Sequence, residues 1–402
     1  MRQQLTITAL KTFVVNAYRC NWVFVKLYTH EGITGVGEAT VEMRERTIAE
    51  GVEELGRYLL GKDPFAVEHH IHIMNRDSYW RSGVILRSAL SAVEAAMLDI
   101  KGKALGVPVY ELLGGLSRDR VKCYANGWFA GARTPLQFAE KARAAAALGF
   151  RALKFDPFGS AYRILEPEER SMAVEIVEAV RDAVGPAVDL LIEVHGRLDV
   201  PSAVSMARDL ERLNPYWYEE PVSPESLSAL AEVRDRIRIP VAAGERFFEV
   251  GRFADAFDRK ALDIAQPDVC HVGGMLECKR VASLALLHEK GISPHNPNGP
   301  ICNAMTLQVA ASTPNFLMLE TMMSDVAWRA EVAPESLVLE DGCMLVPKHP
   351  GLGIDLDEDC AKQFPYEPHD LRHYKSGALT GIRPPDARPY YSVRKRDVPA
   401  GR

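Results

Sequence analysis

Residues 189–246 read DLLIEVHGRLDVPSAVSMARDLERLNPYWYEEPVSPESLSALAEVRDRIRIPVAAGER. Three short apolar segments in this stretch, at 189–194, 217–219 and 240–243, predict β-strands, and helical stretches separate them. Strands that alternate with helices through short connections favour a parallel sheet. The same alternation begins at residue 121 and predicts five further strands, at 121–126, 152–156, 263–266, 293–295 and 316–320.

Eight strand–helix repeats predict a closed barrel instead of an open sheet. We therefore expect an α/β fold, a (β/α)₈ barrel of the TIM type over residues 121–335. Residues 1–120 show alternating strand patterns and then the 3.6-residue period of a helix over Ile85–Leu105, which predicts a separate α+β capping domain. Residues 336–402 are expected to return to this cap and to end in a basic tail that includes Arg394–Arg396.

The composition excludes several classes of protein. The chain of 402 residues has 47% hydrophobic and 25% charged residues, the balance of a soluble globular protein. Its net charge of −6 disfavours nucleic acid as a partner. We find no signal-peptide core and no apolar run near the roughly 18 residues that span a bilayer. The seven cysteines contain no C-x-x-C pair, so we expect a reduced, cytoplasmic protein without a membrane partner.

Glutamates follow three consecutive predicted strands. Glu193, Glu219 and Glu245 are spaced 26 residues apart, about one β/α repeat, and barrel active sites lie at the carboxyl ends of the strands. Two such charges 4 Å apart repel by roughly 4 kcal/mol at an effective dielectric constant of 20. A hard cation would relieve this repulsion, and Mg²⁺ suits an all-oxygen site that also holds substrate. The alternatives are isolated surface acids or salt-bridge partners, or Glu220 as the ligand in place of Glu219.

Two histidines lie at predicted strand ends. His195 follows Glu193 by two residues and projects to the same side of an extended chain. His295 ends the seventh predicted strand, and Asp268 follows the sixth, within hydrogen-bonding reach of it. A carboxylate on one ring nitrogen fixes the tautomer and raises the basicity of the other nitrogen, which prepares a general base. For each histidine the alternative is a structural, hydrogen-bonded side chain.

Three further side chains are candidates at strand ends. Glu320 ends the eighth predicted strand and could hydrogen-bond an enolate oxygen if protonated, bind a hydroxyl group, or form a salt bridge. Lys154 and Asp156 end the second predicted strand. Either could contact the substrate, and the lysine could bind a substrate carboxylate or act as a base. The alternative is a structural ion pair between them.

An ordered series of motifs resembles the enolase superfamily, in its mandelate racemase subgroup, and in particular the acid-sugar dehydratases. The likeness covers nearly the whole chain. It includes W-V-F-V-K (22–26), H-E-G-I-T-G-V-G-E (30–38), H-G-R (195–197), E-E-P-V (219–222), A-A-G-E-R (242–246), Q-P-D (266–268) and H-N-P-N-G-P-I (295–301).

The resemblance implies a role for each candidate. It implies a Mg²⁺ site at the three glutamates, with His295 and Asp268 taking the proton next to the substrate carboxylate. It implies that His195 protonates the departing hydroxyl group and that Glu320 hydrogen-bonds the substrate carboxylate region. Cap loops would select the substrate, here 18–22 with Trp22 and 79–83 with Arg81.

Two departures from the family pattern refine the expected reaction. Close dehydratases usually carry Asp at the position of Glu193, and racemases carry a second lysine at the position of Asp156, which argues against a Lys/His racemase. We expect dehydration of an aldonate or aldarate to a 2-keto-3-deoxy acid by a homo-oligomer. The alternatives are a cycloisomerase or epimerase that uses the same enolate, and a non-catalytic relative, which would have lost a ligand or base that this chain retains.

Overall fold

The structure is a computed structural model that describes residues 5–334, 337–369, 388–389 and 392–394. Lys395 and Arg396 of the predicted basic tail lie outside the described residues. The N-terminal region forms an antiparallel sheet and then helices: β1 (Ile7–Asn16), β2 (Asn21–Thr29), β3 (Thr34–Glu38), α1 (Glu45–Leu59), α2 (Val67–Asp77), α3 (Val84–Leu105) and α4 (Val109–Leu112).

Helix α3 lies directly on the sheet of this cap because β3 carries glycines where the two backbones meet. A Cβ atom on Gly35 would lie 2.1 Å from the carbonyl oxygen of Ala96, and one on Gly37 would lie 2.0 Å from that of Ala92. Only glycine allows so close an approach. The G-V-G sequence of β3 therefore fixes how α3 sits on the cap sheet.

Eight parallel strands with helices between them follow. The strands are β4 (Arg120–Asn126), β5 (Ala152–Phe155), β6 (Asp189–Glu193), β7 (Trp217–Glu219), β8 (Val241–Ala243), β9 (Ile264–Ala265), β10 (Gly291–Ile292) and β11 (Leu319–Met322). The helices are α5 (Pro135–Ala147), α6 (Pro167–Val184), α7 (Val200–Leu210) with a 3₁₀ turn at Glu211–Leu213, α8 (Leu227–Arg236), α9 (Val250–Asp258), α10 (Met275–Leu287) and α11 (Pro300–Ser312).

The sheet closes on itself. Strands β4 to β10 pair in chain order, and β11 pairs in parallel with β4. A parallel bridge between Ile292 and Phe316 joins the two remaining edges. The predicted (β/α)₈ barrel with an N-terminal cap is therefore confirmed.

The seventh and eighth strands differ from the predicted bounds of 293–295 and 316–320. The seventh ends at Ile292, although Ser293 still donates its N–H to the carbonyl of Ala265, at 2.9 Å. Pro294 follows and has no N–H to continue the ladder. His295 therefore lies in the loop after β10, and the eighth strand begins at Leu319.

The chain after the barrel forms short elements. They are β12 (Ser324–Asp325), α12 (Arg329–Val332), β13 (Val338–Glu340), β14 (Cys343–Leu345), α13 (Glu358–Gln363), β15 (Arg388–Pro389) and β16 (Ser392–Arg394). The hairpin of β13 and β14 pairs with β4, whereas Pro365 bridges to Val15 of the cap. None of the helices in the described part of the chain has the length and apolar character needed to cross a membrane.

The apolar floor of the barrel determines which side chains enter the site. Its interior is packed by residues from successive strands: Tyr124, Ala152, Leu191, Trp217, Ala242, Ile264 and Met318. Because side chains alternate along a strand, the residue two positions later points into the same interior, one layer nearer the carboxyl ends. That layer contains Lys154, Glu193, Glu219 and Glu320.

Candidate active site

The three predicted glutamates meet at the carboxyl end of the barrel. Glu193 ends β6, Glu219 ends β7, and Glu245 follows β8 by two residues. Each offers a carboxylate oxygen within 4.8 Å of those of the other two. Their side chains are almost entirely removed from solvent, with exposed fractions of 1%, 0% and 13%. We call these three residues the glutamate triad.

A buried lysine compensates part of the charge of the glutamate triad. The ammonium nitrogen of Lys154 lies 2.5 Å from Oε1 of Glu219, 3.0 Å from Oε2 of Glu193 and 3.5 Å from Oε1 of Glu320. One ammonium group cannot neutralise these carboxylates together with that of Glu245. Among the described residues, the buried Oε2 atoms of Glu193 and Glu245 have only ion-pair contacts, with Lys154 at 3.0 Å and with His295 at 3.5 Å.

The protonation of the triad shows the same excess of negative charge. Burial and repulsion by Glu193 raise the pKa of Glu219 well above its usual value. Burial also opposes ionisation of Glu193, but His195 and Lys154 outweigh it and lower the pKa of that carboxyl. Without a cation, the repulsion within the triad therefore opposes full ionisation of its three carboxyl groups. An all-oxygen set of buried carboxylates whose charge one ammonium group cannot neutralise fits a hard divalent cation such as Mg²⁺.

The rival ligand Glu220 has a different environment. It adopts a left-handed backbone conformation, with φ of 38°, and its carboxylate forms an ion pair with Arg246. The side chain of Glu219 points into the barrel, where its Oε2 accepts a hydrogen bond from Nε1 of Trp217, at 2.8 Å. Of the two adjacent glutamates, Glu219 is the one that lies beside Glu193 and Glu245.

The predicted pair of Asp268 and His295 is present. Nδ1 of His295 lies 2.6 Å from Oδ2 of Asp268, and that oxygen also accepts a hydrogen bond from Asn298, at 2.9 Å. Nε2 of His295 faces Oε2 of Glu245 at 3.5 Å. Burial lowers the pKa of His295, but Glu245, Asp268 and Glu320 outweigh it and raise the pKa to about 10. An imidazole in this environment keeps its proton at neutral pH until negative charge nearby is compensated, which again favours a cation in the triad.

A second Asp–His pair, which the sequence did not reveal, lies on the other side of the triad. Nδ1 of His195 lies 2.9 Å from Oδ2 of Asp156. Arg197 donates to both oxygens of Asp156, at 2.6 and 2.7 Å. Both oxygens of Asp156 are engaged by His195 and Arg197, which supports the structural ion pair, and a substrate contact by Asp156 stays a prediction. The motifs K-F-D and H-G-R thus meet in one ion-pair network.

His195 is held beside the first triad member. Its backbone is left-handed, with φ of 55°, and its N–H donates to Oε1 of Glu193 at 2.7 Å. Burial lowers the pKa of His195, but the charges of Glu193 and Asp156 outweigh it and the net shift is upward. The two histidines therefore flank the triad, one beside Glu193 and the other, His295, beside Glu245.

Glu320 is fixed between two asparagines that sequence reasoning missed. Its Oε1 accepts from Nδ2 of Asn126, and its Oε2 accepts from the backbone N–H of Asn296, both at 2.7 Å. Burial raises the pKa of Glu320, but Lys154 and His295 outweigh it and lower the pKa. An ionised Glu320 cannot donate a hydrogen bond to an enolate oxygen, so the acceptor roles remain.

The two predicted cap residues lie in different environments. Trp22 is 98% buried in the cap core, where it packs against Phe24 and beneath the guanidinium of Arg329. Arg81 lies on an exposed loop within residues 78–83. A substrate contact by either residue stays a prediction, and the burial of Trp22 opposes it.

Curated relatives share most of the chain. It is 36% identical to the D-gluconate dehydratase of Thermoproteus tenax over 351 residues, which are 87% of this chain and 71% of the relative. It is 37% identical to the D-galactonate dehydratase of Xanthomonas oryzae pv. oryzae over 359 residues, 88% of this chain and 93% of the relative.

Solved structures and family patterns agree with these relatives. A member of the enolase superfamily from Salmonella Typhimurium superposes with a TM-score of 0.85 at 30% identity, over 90% of this chain and 98% of that one. A mandelate racemase/muconate lactonizing enzyme-like protein from Roseovarius superposes with a TM-score of 0.86 at 31% identity, over 91% and 98%. Residues 3–114 match the mandelate racemase/muconate lactonizing enzyme N-terminal domain, and residues 137–360 match the enolase C-terminal domain-like family. The chain therefore belongs to the enolase superfamily, in its mandelate racemase subgroup.

Proposed function

We propose that this chain catalyses the Mg²⁺-dependent dehydration of a sugar acid, an aldonate or aldarate, to a 2-keto-3-deoxy acid. The observation that carries the proposal is the pair of Asp–His dyads on either side of the glutamate triad. Elimination of water from C2 and C3 requires one group to take a proton and a second group to give one. The two histidines can divide these tasks.

His295 is the proposed base. Asp268 accepts a hydrogen bond from Nδ1–H, which fixes the tautomer and leaves Nε2 to take the proton from C2 of the substrate. Asp268 also stabilises the imidazolium that results. A divalent cation held by the triad would bind the substrate carboxylate and lower the energy of the enolate.

His195 is the proposed acid. Asp156 accepts a hydrogen bond from Nδ1 of His195, at 2.9 Å, which orients the ring and leaves Nε2 to carry the proton that an acid gives. From its position beside Glu193 it would give a proton to the C3 hydroxyl group as the C–O bond breaks. The enol that remains becomes the 2-keto-3-deoxy acid. The ionised Glu320, next to Lys154, would accept a hydrogen bond from a substrate hydroxyl group.

The relatives support a sugar acid as the substrate, because the two described above are named dehydratases of gluconate and galactonate. Epimerisation is the second candidate, since two opposed histidines could also remove and return a proton at the same carbon. That reaction needs the same enolate but loses no water.

One assay separates these candidates. Aldonates and aldarates are incubated with the protein and Mg²⁺ in deuterated water, and the products are followed by proton NMR and by semicarbazide, which detects 2-keto acids. We expect a keto product from at least one sugar acid and none after EDTA treatment. Inversion at C2 without a keto product would identify the reaction as epimerisation instead of dehydration. Full turnover after thorough chelation would contradict the metal requirement.

A further inference from the structure

We propose that the cap residues 38–40 are a positioning element that fixes the loops of Asp268 and His295 relative to each other, and that Glu38 is its central residue. The inference rests on the proposed function, because it concerns the base of that reaction. We call residues 38–40 the cap segment.

The carboxylate of Glu38 holds the helix that follows His295. Its Oε1 accepts from the N–H of Gly299, and its Oε2 accepts from the N–H of Cys302, both at 2.7 Å. Helix α11 begins at Pro300, five residues after His295. The first N–H groups of a helix need an acceptor from outside the helix, normally the side chain of the N-cap residue. Here the cap domain supplies that acceptor.

Glycine at the N-cap makes this interdomain contact feasible. A Cβ atom on Gly299 would lie 2.6 Å from Oε1 of Glu38, closer than atoms can approach. Thr40 steadies the carboxylate from its own segment by donating its hydroxyl hydrogen to Oε1, at 2.6 Å. Glu38 itself is completely buried, so its contacts do not compete with solvent.

The same cap segment also holds the Asp268 loop. The thiol of Cys270 donates to the backbone carbonyl of Glu38, at 3.0 Å. Nε2 of His271 donates to the carbonyl of Thr40, at 2.9 Å. Cys270 in turn donates its N–H to Oδ1 of Asp268, at 2.7 Å, so the anchored loop fixes one carboxylate oxygen.

The two halves of the dyad are therefore positioned from one place. Asp268 and His295 lie in different loops, after β9 and β10, and each loop is tied to the cap segment. Their 2.6 Å contact sets the tautomer of the proposed base. A displacement of about 1 Å at a reacting group can reduce a rate by about 100-fold. Glu38 does not touch the reacting atoms, and it acts through the dyad.

Glu94 provides a matched control. It is a second buried cap glutamate, and it accepts from the N–H groups of Met275 and Leu276 at the start of α10, at 2.9 and 2.8 Å. A Cβ atom on the N-cap residue Gly274 would lie 2.5 Å from this carboxylate, as at the first site. Both glutamates cap a helix in the same way. However, α10 begins seven residues after Asp268, and among the described residues Glu94 makes no contact with the cap segment.

The test compares Glu38→Gln with Glu94→Gln. A glutamine nitrogen cannot accept from an N–H, so each variant loses one helix-capping bond. In proton NMR spectra of the metal-free protein, imidazole protons bonded to carboxylates appear far downfield, and the signals of the two dyads are assigned with His295→Asn and His195→Asn. We expect Glu38→Gln to shift or broaden the His295 signal and spare the His195 signal, and Glu94→Gln to preserve both.

Kinetics provides the second measurement. We expect Glu38→Gln to lower kcat for dehydration by about 10- to 100-fold with KM changed less than about threefold, and Glu94→Gln to keep kcat within about threefold. An unchanged His295 signal in folded Glu38→Gln, or equal kcat losses in both variants, would overturn the positioning role. If Glu38→Gln does not fold, Gly299→Ala, which displaces the carboxylate, is measured with the same expectations. Failure of the wild-type protein to dehydrate any sugar acid would refute the proposed function, and the NMR comparison would still decide on the cap segment.

Discussion

Removal of the Lys154 ammonium should destabilise the metal-free protein and strengthen its binding of Mg²⁺. The side chain is 3% exposed and lies within 3.5 Å of three carboxylates. Removing one partner of a buried ion pair costs roughly 3–5 kcal/mol, because the remaining charge stays buried without compensation. We therefore expect Lys154→Met to lower the free energy of unfolding by about that amount in EDTA.

The opposite effect is expected for the cation. The ammonium of Lys154 and a cation in the triad would repel each other. Two like charges about 4 Å apart repel by roughly 4 kcal/mol at an effective dielectric constant of 20. Loss of even a third of that repulsion raises the affinity for the cation about tenfold. Lys154→Met should accordingly bind Mg²⁺ at least about tenfold more tightly. Saturation at about 100 times Kd should restore about 2.7 kcal/mol of stability.

Urea unfolding in EDTA and in Mg²⁺, with calorimetric titration of Mg²⁺, measures both effects. The control is Lys122→Met, which removes an ion pair with Asp189 that is 45% and 33% exposed. Such surface pairs contribute about 0–1 kcal/mol, and this one lies away from the triad. Equal stability of Lys154→Met and wild type in EDTA, together with an unchanged Mg²⁺ affinity, would refute the charge balance that we infer for the triad.

Three further predictions concern single side chains. His295→Asn should reduce kcat by several orders of magnitude with an intact circular dichroism spectrum, and normal turnover would remove this residue from the base role. His195→Asn should retain exchange of the C2 proton with deuterated water, measured by NMR, but lose water elimination; joint loss of both would contradict the division of tasks. Burial raises the pKa of Glu94 from 4.5 to about 8, so the folded protein binds this proton more tightly than the unfolded chain does. The stabilisation that results is complete below pH 4.5 and is lost as the pH rises towards 8. Glu94→Gln should therefore flatten the pH dependence of urea unfolding in that range, and an unchanged slope would oppose the raised pKa.

The parts of the site that repeat with the barrel could be predicted from the sequence. The 26-residue spacing of Glu193, Glu219 and Glu245 places one glutamate in each of three consecutive β/α units. Because consecutive strands in a barrel are neighbours, the three side chains meet at one end of it. The pairing of Asp268 with His295 follows from the same adjacency. These contacts depend on the period of the chain and not on the conformation of a particular loop.

Contacts that depend on loops or on two domains could not be predicted. The pairing of Asp156 with His195 requires a left-handed backbone at the histidine, which a strand pattern does not encode. The bonds of Glu38 to Gly299 and of Glu94 to Met275 span 261 and 181 residues. No local pattern connects positions that far apart.

Trp22 shows the limit of assigning loops by family resemblance. The resemblance placed it in a substrate-selecting loop, but it is the second residue of β2, in which eight of nine residues are buried. A strand covered on both faces does not alternate between apolar and polar residues. The sequence therefore could not show which face of β2, if any, is open to a ligand.

The most direct test of the triad is the anomalous diffraction signal of crystals grown with Mn²⁺, which shares the preference of Mg²⁺ for oxygen ligands. We predict one strong peak between Glu193, Glu219 and Glu245, with an oxygen of each at a coordination distance of about 2.0–2.3 Å. A peak held by Asp268, His271 and His295, or no peak at saturating Mn²⁺, would contradict the metal site on which the proposed reaction depends.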